Sequence, residues 1–287
     1  MPPTPPSLGL GLGLPFVRGG GPSLDPDAAA YIAAIQAAGA DLGLLNEESI
    51  TKKAISDSII ERKDLGIWDL ERRTYLPIWG LPAPNAICMR SLTSGEFVND
   101  VTHGAGFVQG DGTSGYFDTG SSLVAMGLTN VNVGLFCLLT SEHLNNSQVF
   151  IGSGGGGNNN ILWRNGGGLI TYRAIGSAAQ ETTLSGKVQG VLSGHRTATT
   201  RRTSRRDGSG RQTALTAGLS AAGTLSAGNL LALANNNRDD SGITLGTPSN
   251  SRQGAFGATH ALTDADDAAF TLNLKTLWET CTGLTLP

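Results

Sequence analysis

The sequence predicts a mainly β protein built around one antiparallel sandwich, and three observations lead to this prediction. From about residue 74 onward, short apolar runs alternate with turn sequences rich in Gly, Asn, Asp and Ser. The chain has 41 glycines in 287 residues, about twice the average usage. Only 15% of its residues are charged. Many short strands at this spacing are typical of a β-sandwich or jelly roll.

The first 22 residues are predicted to form an extended anchoring arm. After a Pro-rich opening, five apolar residues stand at every second position, and on an extended backbone they share one face. Two interpretations stay open: a disordered tail, or a strand that docks on a partner. We favour docking, because random tails are rarely this apolar on one face. The predicted partner-anchoring residues are Leu8, Leu10, Leu12, Leu14 and Phe16.

Two helices are predicted after the arm. Asp25 is a good N-cap with Pro26 behind it, and Asn46 is the expected cap of the second helix, which Gly66 ends. Neither helix is long enough to be stable alone, so we expect them to pack on the sandwich or on a copy of themselves. The predicted domains are the arm at 1–22, a helical collar at 23–73 and the sandwich at 74–287.

A C-terminal helix is predicted over residues 263–282. Thr263 is its expected N-cap, with acidic residues in the first turn, and Gly283 is its expected end. Its apolar residues recur at helical spacing, so one side must face the core or a neighbouring subunit. They are Phe270, Leu274, Leu277, Trp278 and Cys281.

Four stretches resemble a family of tailed-bacteriophage and prophage structural proteins with a concanavalin-like, laminin-G-like sandwich. They cover residues 25–39, 66–80 (GIWDLERRTYLPIWG), 110–120 (GDGTSGYFDTG) and 231–237, the last followed by LTDADDAAF at 262–270. The resemblance implies that a Gly-Ile-Trp-Asp step leads into a strand, that a Gly-Asp-Gly hairpin opens the sandwich, and that a helix beginning Leu-Thr-Asp closes it. It also implies a virion location, as tail fibre, spike, baseplate appendage or capsid (head) decoration.

The search for catalytic residues predicts that the chain is not an enzyme. Sandwich glycosidases need two carboxylates that flank the scissile bond, and only Asp69 and Glu71 have a suitable offset. They lie in a charged stretch, so we interpret both as a solvated face. The four histidines are scattered, with no metal spacing and no Ser/His/Asp arrangement. No cofactor or metal is predicted. Calcium at Asp111 or Asp118 is an alternative, but the GDG turn explains Asp111 without it.

One short stretch concentrates positive charge, with six arginines between His195 and Arg211. They could bind phosphate, acidic glycan or DNA. We favour an exposed hairpin in which Thr and Arg alternate and the arginines face solvent or a neighbouring subunit. The candidate anion or intersubunit contacts are Arg201, Arg202, Arg205 and Arg206.

Trp163 lies between two Gly- and Asn-rich turns and is the best candidate for an aromatic platform under a sugar ring. Asn159 and Asn160 precede it and join it as candidate glycan contacts. Core packing is the alternative, since Ile161 and Leu162 flank the ring.

These observations predict a virion appendage that is anchored by its arm and displays a sandwich for host attachment. Its expected partners are other virion proteins, further copies of itself (a trimer is plausible) and a host-surface glycan. Neither nucleic acid nor membrane insertion is expected, because the net charge is -3 and no long apolar run exists. We expect assembly in the host cytoplasm. The alternatives are a carbohydrate-binding module outside a virion and a polysaccharide-degrading enzyme.

Overall fold

The computed structural model describes residues 23–141, 147–154, 160–164, 169–174, 181–185, 188–217, 223–238 and 242–286. In this part of the chain, two β-sheets face each other, which confirms the predicted mainly β sandwich. The strands are β1 (Glu71–Tyr75), β2 (Glu96–Val98), β3 (Val101–Gly104), β4 (Phe107–Gly110), β5 (Tyr116–Ser122), β6 (Val133–Leu139), β7 (Gln148–Ser153), β8 (Asn160–Arg164), β9 (Ile170–Ala174), β10 (Glu181–Leu184), β11 (Gly190–Arg196), β12 (Thr200–Asp207), β13 (Gly210–Ala217), β14 (Asn229–Ala232), β15 (Asn235–Asn236), β16 (Leu245–Gly246) and β17 (Arg252–Thr259).

The first sheet has the order β13-β12-β11-β6-β17-β4-β3, and β1 pairs with β17 beyond the end of β4. The second sheet has the order β10-β9-β8-β7-β14-β5-β2, with β15 beside β7 and β16 beside β15. Apart from the short parallel contact between β15 and β7, the pairings in the described ranges are antiparallel.

The main core lies between the two sheets. Its aromatic centre consists of Tyr75, Phe117 and Phe256, with ring centroids 4.7–5.4 Å apart. Strand β6 is buried along its whole length. Leu135, Cys137 and Leu139 face the second sheet, whereas Phe136 and Leu138 face away from it. Burial on both faces explains why the β6 sequence is a continuous apolar run.

Four α-helices occur in the described part: α1 (Pro26–Ala37), α2 (Glu48–Asp64), the short α3 (Pro82–Asn85) and α4 (Asp264–Thr282). They cover the outer face of the first sheet and form a second core with it. Phe270 of α4 packs edge-on against Phe136 of β6, with centroids 4.9 Å apart. The apolar stripe predicted for the closing helix is therefore confirmed as a buried face. No helix within the described ranges is both long and apolar enough to cross a membrane.

The helix ends show which local predictions were correct. Asp25 caps α1 by accepting hydrogen bonds from the amides of Asp27 and Ala28. Thr263 and Asp266 form a reciprocal capping box at the start of α4. The cap predicted for α2 is wrong: this helix begins at Glu48, and the Asn46 amide donates to the carbonyl of Thr280 instead, at 2.7 Å. Asn46 therefore links the collar to α4.

Candidate functional site

The five predicted anchoring residues of the arm lie outside the described residues, as does Asn159. Their roles stay predictions. The structure places Asn160 and Trp163 on opposite faces of β8, because they are three residues apart on an extended strand. Asn160 is fully buried, whereas Trp163 is half-buried and stacks under the Arg173 guanidinium at 5.3 Å. The two side chains therefore do not form one exposed platform.

The arginine stretch forms the predicted hairpin, β12 and β13, but the prediction that its arginines face solvent is wrong. Arg201, Arg202 and Arg205 are buried, and Arg206 is half-buried. The cause is that β12 is covered on both faces. Helix α4 covers one face, where Arg206 donates to the carbonyl of Ala268 at 2.9 Å. The second sheet covers the other, where the Thr203 hydroxyl donates to the carbonyl of Thr182 at 2.8 Å.

A buried carboxylate on α4 holds this helix to the first sheet. Asp267 Oδ1 accepts hydrogen bonds from Ser193 Oγ at 2.6 Å and His195 Nε2 at 2.9 Å. Its Oδ2 accepts from Ser204 Oγ at 2.7 Å and Arg211 Nη2 at 2.6 Å. Burial acts to raise the pKa of Asp267, but His195 and the two serine hydroxyls outweigh it and hold this pKa well below its usual range.

This cluster corrects the expectation that no Ser, His and Asp side chains come together. It does not have the geometry of a nucleophilic triad, in which the histidine lies between the serine and the carboxylate. Here Ser193 and His195 both donate to the same oxygen of Asp267. All three residues are buried, at 2% exposure or less. We assign the cluster to attachment of α4.

The interpretation of Asp69 and Glu71 as a solvated pair is half wrong. The Asp69 side chain is 87% exposed, but Glu71 is buried and both of its carboxylate oxygens accept from Arg62 Nη1, at 2.9 and 3.1 Å. Arg62 also lies over the Trp68 ring, 5.2 Å from its centroid. Glu71 therefore ties β1 to α2 rather than facing solvent.

Asp111 makes the tight turn that the GDG sequence predicts. Its Oδ1 accepts from the amides of Thr113, Ser114 and Gly115 at 2.7–2.8 Å. Although burial acts to raise the pKa of Asp111, these amides outweigh it and hold the pKa well below its usual range. Within the described ranges, no three His, Cys, Asp or Glu side chains come together as a metal-binding group.

The candidate binding site is an open cleft of about 400 Å³ beside the C-terminal end of α4. We call it the Arg252 cleft. Its floor is Trp278, whose indole nitrogen donates to the carbonyl of Gly106 at 2.9 Å. One wall comes from β4 and β17, and the other comes from the residues that follow α4. The lining residues are Ala105, Gly106, Phe107, Thr140, Arg252, Trp278, Gly283, Leu284 and Thr285.

Arg252 is exposed, but its orientation is well defined. Its guanidinium lies over the Phe107 ring at 4.5 Å from the centroid, and its Nε donates to Gln109 Oε1 at 3.0 Å. Gln109 is held in turn, because its amide donates to the carbonyl of Asn250 at 3.0 Å. Arg252 and Gln109 are register partners on β17 and β4, so the sheet itself aligns them.

Two backbone features keep the cleft open. Gly106 has φ +88°, and Gly283 has φ +68°; both values lie in the left-handed region that favours glycine. Gly106 places its carbonyl at the Trp278 indole, and Gly283 turns the chain away from α4. The chain then returns, since the Leu286 amide donates to Glu279 Oε1 at 2.8 Å. Leu284 and Thr285 are therefore exposed at the rim.

Sequence reasoning missed this cleft. Its residues come from five separated segments, and none of these segments carries a binding motif. Only the prediction that Trp278 belongs to the core identified one of its parts, the floor. Two other grooves run beside α2, where Lys53 and Asp57 pair with each other. The described walls of those grooves offer no unpaired cation, since Lys52 pairs with Glu48 and Lys53 with Asp57.

Neither a protein-family model nor a curated protein matches the chain. Among solved structures, the chain is similar to a mutant of Trypanosoma rangeli sialidase displaying trans-sialidase activity, at 10% identity and a TM-score of 0.47, over 79% of this chain and 39% of that one. It is also similar to tailspike protein 2 from Escherichia coli O157:H7 bacteriophage CAB120, at 10% identity and a TM-score of 0.40, over 64% of this chain and 26% of that one. The chain therefore spans well under half of these proteins.

These matches correct one prediction. Sialidases are enzymes, and two further matching structures are complexes of the T. rangeli sialidase. These structures contradict the prediction that this chain is not an enzyme, because its sandwich is similar in fold to that of glycosidase-like enzymes. At 10–11% identity the similarity concerns the fold and assigns no activity.

Proposed function

We propose that the chain is a structural component of a bacteriophage or prophage particle, and that its sandwich contacts a host-surface glycan at the Arg252 cleft. The observation that carries the contact is the cleft itself. A sandwich surface offers an oriented guanidinium, hydroxyl groups and an exposed apolar side chain, Leu284, in one open cavity.

The location in a particle is supported by the resemblance found in the sequence, since two of its motifs lie where the family implies. The Gly66–Asp69 step leads through a 3-10 turn into β1. Leu262, Thr263 and Asp264 begin α4. The Gly-Asp-Gly turn differs from the implied hairpin, because it carries the chain from β4 in the first sheet to β5 in the second, and these two strands do not pair. Two of the three stretches thus agree with the implied architecture.

Glycan contact is supported by the size and chemistry of the cleft. A volume of about 400 Å³ falls within the usual range of roughly 300–1,000 Å³ for small-ligand sites. Sugar rings present hydroxyl groups at their edges and C–H groups on their faces. Thr140 and Thr285 offer hydroxyls, while the exposed Leu284 side chain offers apolar surface.

The assembly remains part of the proposal. We propose that residues 8–16 of the arm bind another virion protein through the five apolar side chains, and that the protein is a homo-oligomer in the particle, made and assembled in the host cytoplasm. Mass spectrometry and immunogold labelling of purified particles test the location. Light scattering on the purified protein tests the oligomeric state.

Glycan contact is tested by filling the cleft. Thr285→Trp places a large side chain at the exposed rim, where it removes no buried contact. Leu215→Trp is the matched control, because Leu215 is 65% exposed on β13, at the opposite edge of the first sheet. Each protein is titrated against host envelope glycans on an array and by calorimetry. We expect wild type and Leu215→Trp to bind alike and Thr285→Trp to lose binding.

Equal binding by Thr285→Trp would show that any glycan contact lies elsewhere on the molecule. Absence of binding by wild type would overturn the proposed contact. Each preparation is also assayed for sugar release from the same glycans. Release that Thr285→Trp abolishes would make the cleft the site of cleavage as well as of binding.

A further inference from the structure

The guanidinium of Arg252 has one edge, formed by Nη1 and Nη2, that makes no hydrogen bond to the described residues. One face is covered by Phe107 at 4.5 Å, and Nε is occupied by Gln109 at 3.0 Å. Among the described residues, none accepts a hydrogen bond from Nη1 or Nη2. Most other arginines of this fold are engaged by acids or carbonyls, as Arg62 is by Glu71 and Arg211 by Asp264 and Asp267.

The described residues that line the cleft carry one charge, that of Arg252, and none of these nine residues is acidic. The acid that contacts the returning C-terminal residues is Glu279, which is already paired with Lys275 at 2.7 Å and accepts from the Leu286 amide. Among the described residues, the lining therefore offers an entering anion one cation and no repelling carboxylate.

The shape of the edge selects the anion. The two Nη groups of a guanidinium form a planar fork that matches the two oxygens of a carboxylate. Stacking on Phe107 and the Gln109 bond fix the plane of this fork before a ligand arrives, which lowers the entropy lost on binding. The exposed Leu284 side chain at the rim gives the rest of a sugar ring an apolar surface.

We propose that the Arg252 cleft recognises a sugar that carries a carboxylate, through a bidentate contact with the Nη1 and Nη2 groups of Arg252. This inference rests on the proposed glycan contact and narrows it to acidic glycans. It gives Arg252 a specificity-determining role at a site where no sequence motif points to one.

The experiment pairs each acidic oligosaccharide with its own methyl ester, which keeps the ring and removes the charge. Hexuronic and nonulosonic acid oligosaccharides serve as the probes on full-length protein. We expect at least one acid to bind, and its ester to bind roughly ten- to a hundredfold more weakly, as loss of a hydrogen bond to a charged group implies. Arg252→Ala should remove this preference. Arg252→Lys should keep only part of it, because an ammonium lacks the planar fork.

Arg90→Ala is the matched control. Like Arg252, Arg90 is stacked on an aromatic ring, at 5.1 Å from the Trp68 centroid, but it is half-buried and lies outside the cleft. Its substitution should leave acid binding and the acid-to-ester ratio unchanged. Thermal unfolding of all variants shows that each is folded.

Three outcomes would overturn the inference: equal binding of acid and ester, unchanged acid binding by Arg252→Ala, or competition by inorganic phosphate as strong as that by the acid. The two proposals can fail separately. If only neutral glycans bind, and Thr285→Trp blocks this binding while Arg252→Ala does not affect it, glycan contact stands and acid recognition is refuted. If no glycan binds at all, both proposals fail.

Discussion

Replacing Asp267 with asparagine removes a carboxylate that four side chains hold in the interior. Ser193, His195, Ser204 and Arg211 all donate to it, and Asp267 itself is fully buried. Asparagine keeps one acceptor oxygen but carries no charge, so the buried cluster loses one acceptor and its anion, which typically costs about 3–5 kcal/mol. We expect the free energy of unfolding at pH 7, measured in urea, to fall by about that amount.

The pH dependence gives this prediction its sharpest form. Because the folded-state pKa of Asp267 is lowered, its stabilisation is present above the unfolded-state pKa of about 4 and is lost as the pH falls below it. The free-energy gap between wild type and Asp267→Asn should therefore narrow by about 1.4 kcal/mol per pH unit below about pH 4. Asp264→Asn is the control: its side chain is 70% exposed, so it should cost under about 1 kcal/mol. A gap that stays constant between pH 5 and pH 2, or a cost at pH 7 no larger than that of the control, would refute this reasoning.

Three further predictions concern the collar, the floor of the cleft and the arm. Glu71→Gln should lower the free energy of unfolding by about 3–5 kcal/mol because it leaves Arg62 buried without its counter-ion, whereas the exposed Asp69→Asn should change it by under about 0.5 kcal/mol; equal effects in denaturant unfolding would contradict the buried pair. Trp278→Ala should cost about 3–5 kcal/mol, and a loss below 1 kcal/mol would show that the ring is not part of the core. Deleting residues 1–22 should leave a folded protein that no longer enters particles, and wild-type occupancy of the truncated protein would place the anchor elsewhere.

The elements that sequence reasoning predicted well are those whose signals are local. The Asp25 cap and the Thr263 capping box lie within four residues of the amides they bind. The stripe of α4 repeats at helical spacing, so its buried face could be read without knowing its partner. The cap of α2 failed for the opposite reason, because Asn46 bonds to Thr280, 234 residues away. No local pattern contains such a partner.

The burial of the arginines on β12 also could not be predicted from local sequence. Alternating Thr and Arg on a hairpin is typical of a strand with one solvent face. That interpretation assumes an uncovered strand, whereas here α4 and the second sheet cover β12 on its two sides. Arg202 illustrates the outcome, since it donates to the Leu262 carbonyl at 2.8 Å at the start of α4. The charge was correctly located along the chain, but its burial depended on tertiary packing.

The burial of each residue in the Arg252 cleft determines which substitutions can test the site. Its floor belongs to the fold, because Trp278 is 2% exposed and its indole nitrogen binds Gly106. Substitutions there would lower stability and binding together, so they cannot separate the two. Arg252 and Thr285 lie at the exposed rim. Since neither contributes a buried contact to the core, changes at these two positions can remove binding while the sandwich and α4 stay intact. A loss of affinity with unchanged thermal unfolding at these positions is therefore evidence for a binding site rather than for a weakened fold.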